Sequence, residues 1–241
     1  MKDSAYLIQN LGCGFYSLKS VDSTNNFAKK MFLGSELAVF ADSQTAGRGR
    51  QGHSFYSPEG GIYFSWAVPE KAAAHPELLT VKAAVCVLQA LEKLTGKEYA
   101  VKWVNDIFLG DRKVCGILCE YCPGNEYGSR EGFYVCGVGI NTSSEDFPED
   151  LQELAGGIGE IDRAELICEV INALRRETDP AEIVKIYGQK SYLTGKEVSY
   201  VLNGEAKSGR VLGVNASGNL WVLSGDTEDV LSAGEVSVKR V

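Results

Sequence analysis

The chain has 241 residues, 44% of them hydrophobic and 23% charged, which is enough apolar material for one good-sized domain with room for a small second one. A formal net charge of -8 argues against a main task of coating nucleic acid, which calls for a basic face. No apolar run approaches the roughly 18 residues of a membrane span and no charged start leads into a signal-type segment. The seven cysteines are scattered through strand-like runs. That fits reduced thiols and a cytoplasmic protein better than a disulfide framework.

In chain order, Asp22-Ser23-Thr24-Asn25 precedes apolar residues at helical spacing, so a capped helix is predicted to about Gly34. A strand follows over Leu37 to Phe40. The segment Gln44 to Gly52 is rich in glycine and reads as a mobile loop. A second strand is expected over Ile62 to Val68. The spacing of Leu78, Leu79, Val81, Val85, Leu88 and Leu91 predicts an amphipathic helix from Pro76 to Leu94. Three strands, Tyr99 to Leu109, Val114 to Glu120 and Phe133 to Asn141, are expected to form an antiparallel meander. A helical zone runs from Arg163 to Tyr187. Beyond Gly195, short alternating runs broken by Asn203-Gly204, Asn215 to Gly218 and Gly225-Asp226 predict a small β barrel. The expected division is 1–192 for a catalytic domain and 193–241 for the barrel, packed closely together.

Three segments carry candidate chemistry. Gly47-Arg48-Gly49-Arg50-Gln51-Gly52 joins glycines, which let backbone N–H groups approach a ligand, to two guanidiniums suited to carboxylate or phosphate oxygens. It matches neither a Walker A loop nor a dinucleotide fingerprint. Lys102-Trp103-Val104-Asn105-Asp106 mixes polar and apolar groups on both faces of the expected strand. Asp106 beside Asn105 suits Mg²⁺ on a triphosphate, and Lys113 suits a carboxylate and an α-phosphate. Gly137-Val138-Gly139-Ile140-Asn141 ends a strand with two glycines, the mark either of close ligand approach or of a bulge and turn. Ser23-Thr24-Asn25 can cap a helix, hold a ligand's polar head, or both. Cys115, Cys119 and Cys122 are read as buried thiols and not as cluster ligands, and His53 and His75 are too isolated to suggest zinc.

Taken in order, Ser23-Thr24-Asn25, Gln44 to Arg50, Ser57-Pro58-x-Gly60, Lys102-Trp103-x-Asn105-Asp106, Lys113-x-x-Gly116-Ile117-Leu118 and Gly137-x-Gly139-Ile140-Asn141 resemble the biotin–protein ligases across roughly residues 20 to 145. The resemblance implies an α+β fold, a mixed or antiparallel sheet with packed helices as in class II aminoacyl-tRNA synthetases, plus an SH3-like C-terminal barrel. It implies ATP and Mg²⁺ with biotin as substrate, giving biotinyl-5′-AMP and then a biotinylated lysine on a carboxylase's biotin-carrier domain. Lys113, Arg50 and Asp106 are the implied catalytic groups, with Asp106 the metal ligand. Ser23, Thr24, Asn25 and Gln44 are the implied holders of the biotin ring, beside Gly47, Gly116, Gly137 and Gly139. Arg48, Gly49, Arg50 and Lys113 would take its carboxylate and the α-phosphate, while Asn105 and Asn141 join Arg50 and Lys113 around the nucleotide. His53 and Phe55 depart from an arginine and a tryptophan common in that family, and Val104 from a proline. A chain starting this near the catalytic domain is expected to bind no DNA. A homodimer through a sheet edge stays open, as do two other readings: a lipoate or octanoate ligase, and a non-catalytic biotin-binding protein.

Overall fold

A computed structural model describes residues 2–145, 147–232 and 239–240. Seven strands form the main sheet: β1 (Gly14–Val21), β2 (Leu37–Gln44), β3 (Ile62–Pro69), β4 (Ala100–Lys102), β5 (Asp106–Leu109), β6 (Arg112–Cys122) and β7 (Phe133–Ile140). Their order is β1-β2-β3-β7-β6-β5-β4, and every neighbouring pair is antiparallel except β1 with β2. The helix α2 (Thr24–Met31) makes the crossover that a parallel pair requires. The expected meander is present as β4 to β7.

Both faces of the sheet are covered, and the strands alternate accordingly. Ala38, Phe40, Phe64, Trp66, Cys136, Val138 and Ile140 point into the main core. On that side lie α1 (Lys2–Leu11), α3 (Leu79–Thr95), α5 (Arg163–Arg175) and α6 (Pro180–Gln189), with α5 packed on α1 and α3, and α3 on α6. Leu37, Val39, Ala67, Phe133 and Val135 point the other way and meet Ala28 and Phe32 at α2 in a smaller core. A short α4 (Glu149–Gln152) follows the β7 loop. Cys115 lies in the main core with Cys119 packed against it, whereas Cys122 lies in the smaller core on the opposite face, so these three thiols do not converge.

Two expectations need correction. The strand Tyr99 to Leu109 is a hairpin: the chain reverses at Trp103–Asn105, where the Trp103–Val104 peptide is cis, and Lys102 registers opposite Asp106. Lys102 and Asp106 share a face because they are cross-strand partners. The helical zone Arg163 to Tyr187 is two helices, since Asp179 caps α6 and Pro180 occupies its first turn. The glycine-rich loop is closed by Gly49 N–H to His53 O (2.7 Å) and Phe55 N–H to Gly47 O (2.9 Å).

At the C-terminal end, β8 (Glu197–Leu202), β9 (Glu205–Val214), β10 (Leu220–Ser224), β11 (Thr227–Leu231) and β12 (Lys239–Arg240) form an antiparallel sheet of order β11-β10-β9-β8-β12. Among the described residues its edge strands β11 and β12 do not pair with each other. Its inner residues Val198, Val211, Leu220 and Val222 belong to the same core cluster as α3 and α6. Trp103 Nε1 donates to Gly218 O (3.0 Å), which pins this sheet against the β4–β5 turn.

Phe133 stacks on Phe32 just beyond the end of α2, with ring centroids 4.1 Å apart. Phe133→Ala is expected to cost about 3–5 kcal/mol, read as a lower urea midpoint at unchanged slope.

Candidate active site

The site occupies the α2 face of the main sheet, where β6 and β7 carry glycine. Gly116 and Gly139 are registered partners, and Gly137 lies one alternation further along β7. A methyl group on Gly139 would stand 2.6 Å from the Phe55 ring and one on Gly116 2.9 Å from it, while one on Gly137 would collide with Asn25 Oδ1. These glycines are a floor that a Cβ would fill.

Over the floor stands the N-terminus of α2. Ser23 caps it, accepting a long 3.5 Å hydrogen bond from Asn26 N–H. Gln44 Oε1 accepts from Thr24 N–H (2.9 Å) and lies 3.1 Å from Thr24 Oγ1. Gln44 Nε2 donates to Ser57 Oγ, which donates to Phe55 O, both at 2.9 Å. Ser65 Oγ lies 2.8 Å from Thr24 Oγ1 and 2.6 Å from Asn25 Oδ1. The result is a polar pocket of about 20 Å³ with Phe55 seated in it, room for little more than one water.

Next to it a cleft of about 280 Å³ holds Arg50, Lys102, Asn105, Asp106 and Lys113. Lys113 Nζ lies 2.7 Å from Asp106 Oδ1, yet that buried oxygen takes no aligned hydrogen bond. Burial lowers the pKa of Arg50, opposed by nearby Asp106 and Tyr187. Burial likewise lowers that of Lys102, with Asp106 opposing and Lys113 reinforcing the shift. Asn105 is oriented by donating from Nδ2 to Ile117 O (2.8 Å). The third cavity, about 790 Å³, runs from Gln44 and Tyr56 past Lys113 and Asn141 to Phe147 and Leu154. Phe55 borders all three cavities, and Lys113 borders the two larger ones.

The structure thus groups Ser23, Thr24, Asn25, Gln44, Gly116, Gly137 and Gly139 around the small pocket, and Arg50, Asn105, Asp106 and Lys113 around the cleft. Asn141 does not line the cleft but shares the large cavity with Lys113, and its Oδ1 is buried and without a hydrogen bond among the described residues. Gly47 lies against Phe55 O and Ser57 Oγ, and Gly49 in the loop's tight turn. Arg48 lines both pocket and cleft but turns to α2, donating to Asn26 Oδ1 (3.1 Å) and lying 3.9 Å from Glu120. Ser65, Glu120, Tyr56, Phe147 and Leu154 escaped the sequence reading. Glu120, an ionisable residue inside an apolar strand run, was the one visible signal among them. Lys29 donates to it at 2.7 Å, and burial, which would raise its pKa, is overcome by the Lys29 and Asn25 hydrogen bonds, so the carboxyl is held below its ordinary 4.5.

Fold and cavities together define an α+β domain with a small-molecule site on one face of a mixed sheet. Residues 17–141 match the Biotin/lipoate A/B protein ligase family. Because that match covers more than half of the chain, the protein belongs to this family. It is 36% identical over 140 residues to the bifunctional ligase/repressor BirA of Bacillus spizizenii, covering 55% of this chain but 43% of that relative. The chain therefore spans less than half the length of that relative. It is 27% identical over 219 residues to the biotin–[acetyl-CoA-carboxylase] ligase of Mycobacterium tuberculosis, covering 83% of this chain and 78% of that one. The Aquifex aeolicus biotin protein ligase, solved with biotin and ATP, superposes with a TM-score of 0.81 at 28% identity, over 95% of this chain and 99% of that one.

A lowered carboxyl pKa stabilises the fold above its unfolded value, and that increment is lost as pH falls through the folded one. The thermal-stability gap between wild type and Glu120→Gln is accordingly expected to narrow as pH drops below 4.5, measured by unfolding at a series of pH values.

Proposed function

We propose that this protein is a biotin–protein ligase, which forms biotinyl-5′-AMP from biotin and ATP and transfers biotin to a lysine of a carboxylase's biotin-carrier domain. The observation that carries the reading is the meeting of three cavities at Phe55, with Lys113 where the two larger ones adjoin. Similar proteins support it: the Aquifex aeolicus ligase was solved with biotin and ATP, and the Mycobacterium tuberculosis relative is named for an acetyl-CoA-carboxylase acceptor.

In this reading the small pocket takes the ureido ring, whose two N–H groups and carbonyl suit the alternating donors and acceptors of Ser23, Thr24, Asn25 and Gln44. Phe55 must leave the glycine floor for the ring to enter. The 790 Å³ cavity takes adenosine between Tyr56, Asn141 and Phe147. The biotin carboxylate then attacks the α-phosphorus, the bond to the β-phosphate bridge breaks, and pyrophosphate leaves. Two anions have to be brought together, so Arg50, Lys102 and Lys113 serve by neutralising and positioning them. In the second step a carrier lysine amine attacks the acyl carbon and AMP leaves. Gly47, Arg48 and Gly49 hold the loop over the intermediate and limit its hydrolysis.

Asp106 fits a Mg²⁺ site: a single carboxylate lining the cleft beside Asn105, here ion-paired to Lys113 Nζ at 2.7 Å, suits an ion that keeps most of its waters and binds mainly phosphate. When bound, that ion neutralises the triphosphate. We assign residues 1–192 to catalysis and 193–241 to an SH3-like unit, whose antiparallel strands support the assignment. The seven free thiols, and the lack among the described residues of any helix long and apolar enough to cross a membrane, accord with a cytoplasmic setting.

Biotin-dependent exchange of labelled pyrophosphate into ATP is the direct test. Wild type should exchange with biotin and not with lipoate, and Lys113→Ala should lose at least about two orders of magnitude, the scale of one lost electrostatic group. Exchange with lipoate instead would move the chain to the sister activity, and no exchange with either acid would leave a binding protein. Gly137→Ala should weaken biotin binding by calorimetry at least about tenfold, or 1.4 kcal/mol, because Asn25 has to shift.

A further inference from the structure

Behind the small pocket lies an ion pair that the proposed reaction does not use. Glu120 reaches from β6 to the α2 face, where Oε2 accepts from Asn25 Nδ2 (2.9 Å) and Oε1 from Lys29 Nζ (2.7 Å). Asn25 and Lys29 are only 3% and 7% exposed. Burying such a pair carries a desolvation cost that packed apolar groups avoid. Its presence beneath a pocket of neutral polar groups calls for a reason.

The reason lies in what a carboxylate cannot do. Asn25 Nδ2 faces two groups, Glu120 Oε2 and Leu118 O (3.2 Å), and both only accept. The amide has one orientation that satisfies them, which turns Oδ1 towards Ser65. Asn25 Oδ1 can only accept, so the fully buried Ser65 hydroxyl gives it its single proton (2.6 Å) and itself accepts from Thr24 Oγ1 (2.8 Å), while Gln44 Oε1 takes the Thr24 N–H (2.9 Å). Every hydrogen bond from Glu120 to Ser57 thereby has a fixed direction. A neutral amide in place of Glu120 presents either an oxygen or an NH₂ to Asn25, and the chain then has two competing polarities.

We propose that Glu120 is a positioning residue for the ring of the acid substrate: it fixes Asn25, and through Ser65 and Thr24 the donor–acceptor pattern shown to a cyclic urea. The inference rests on the biotin reading above.

The test separates this role from simple support of the fold. Glu120→Gln leaves Lys29 buried and unpaired, so it lowers thermal stability; Glu120→Gln with Lys29→Met removes both charges and should recover most of it. In pyrophosphate exchange both variants should raise the KM for biotin about tenfold or more, with kcat and the KM for ATP within about twofold of wild type. A double variant with recovered stability and a wild-type KM for biotin would overturn the inference, as would a fall in kcat together with a rise in both KM values. A wild type showing no biotin-dependent exchange would overturn the functional reading itself, and this inference with it, before any variant is compared.

Discussion

A sheet buried on both faces has to fill both, and this one leaves part of one face unfilled. Where Gly116, Gly137 and Gly139 replace side chains, the backbone of β6 and β7 is exposed to whatever lies above it. An apolar cover would close the hollow. Instead the chain places the polar start of α2 there, with Phe55 as a lining. The hydrogen-bond chain, the closed loop and the adjoining cleft all depend on that absence of Cβ atoms.

The organisation around the hollow explains why the neighbouring charges tolerate burial. Arg50 and Lys102 lose solvation in the cleft, and both are opposed in this by Asp106. One carboxylate thus serves cations arriving from three directions, the loop, β4 and β6. A triphosphate would relieve the excess positive charge. The fully buried Tyr187, whose hydroxyl has no hydrogen-bond partner among the described residues, adds a polar group beside Arg50 and Asp106.

Much of this was legible in the sequence because it was local. Ser23 announced a cap, the apolar run Ile62 to Val68 a strand, and the paired glycines of β7 either a close approach or a bulge. The β4–β5 reversal was not legible: Trp103-Val104-Asn105 contains no glycine or proline, and the residues Tyr99 to Leu109 read as one strand. Nor was α1 or β1, whose pairing with β2 depends on a crossover and not on any local motif. The direction taken by Arg48 was likewise set by Asn26 and Glu120, one 22 residues before it and the other on β6. Sequence supplied the residue types of the site; only tertiary register decided which of them face one another.

The contact between Trp103 and Gly218 gives the C-terminal sheet a bearing on the cleft that its distance along the chain conceals. The indole belongs to the turn that sets Asp106 opposite Lys102, and its N–H has its acceptor in a loop 115 residues later. The C-terminal sheet therefore braces the β4–β5 hairpin. A change of backbone in the loop 215–219 has a path to the geometry of the cleft even though none of those residues lines it, so the cleft can be tuned from behind.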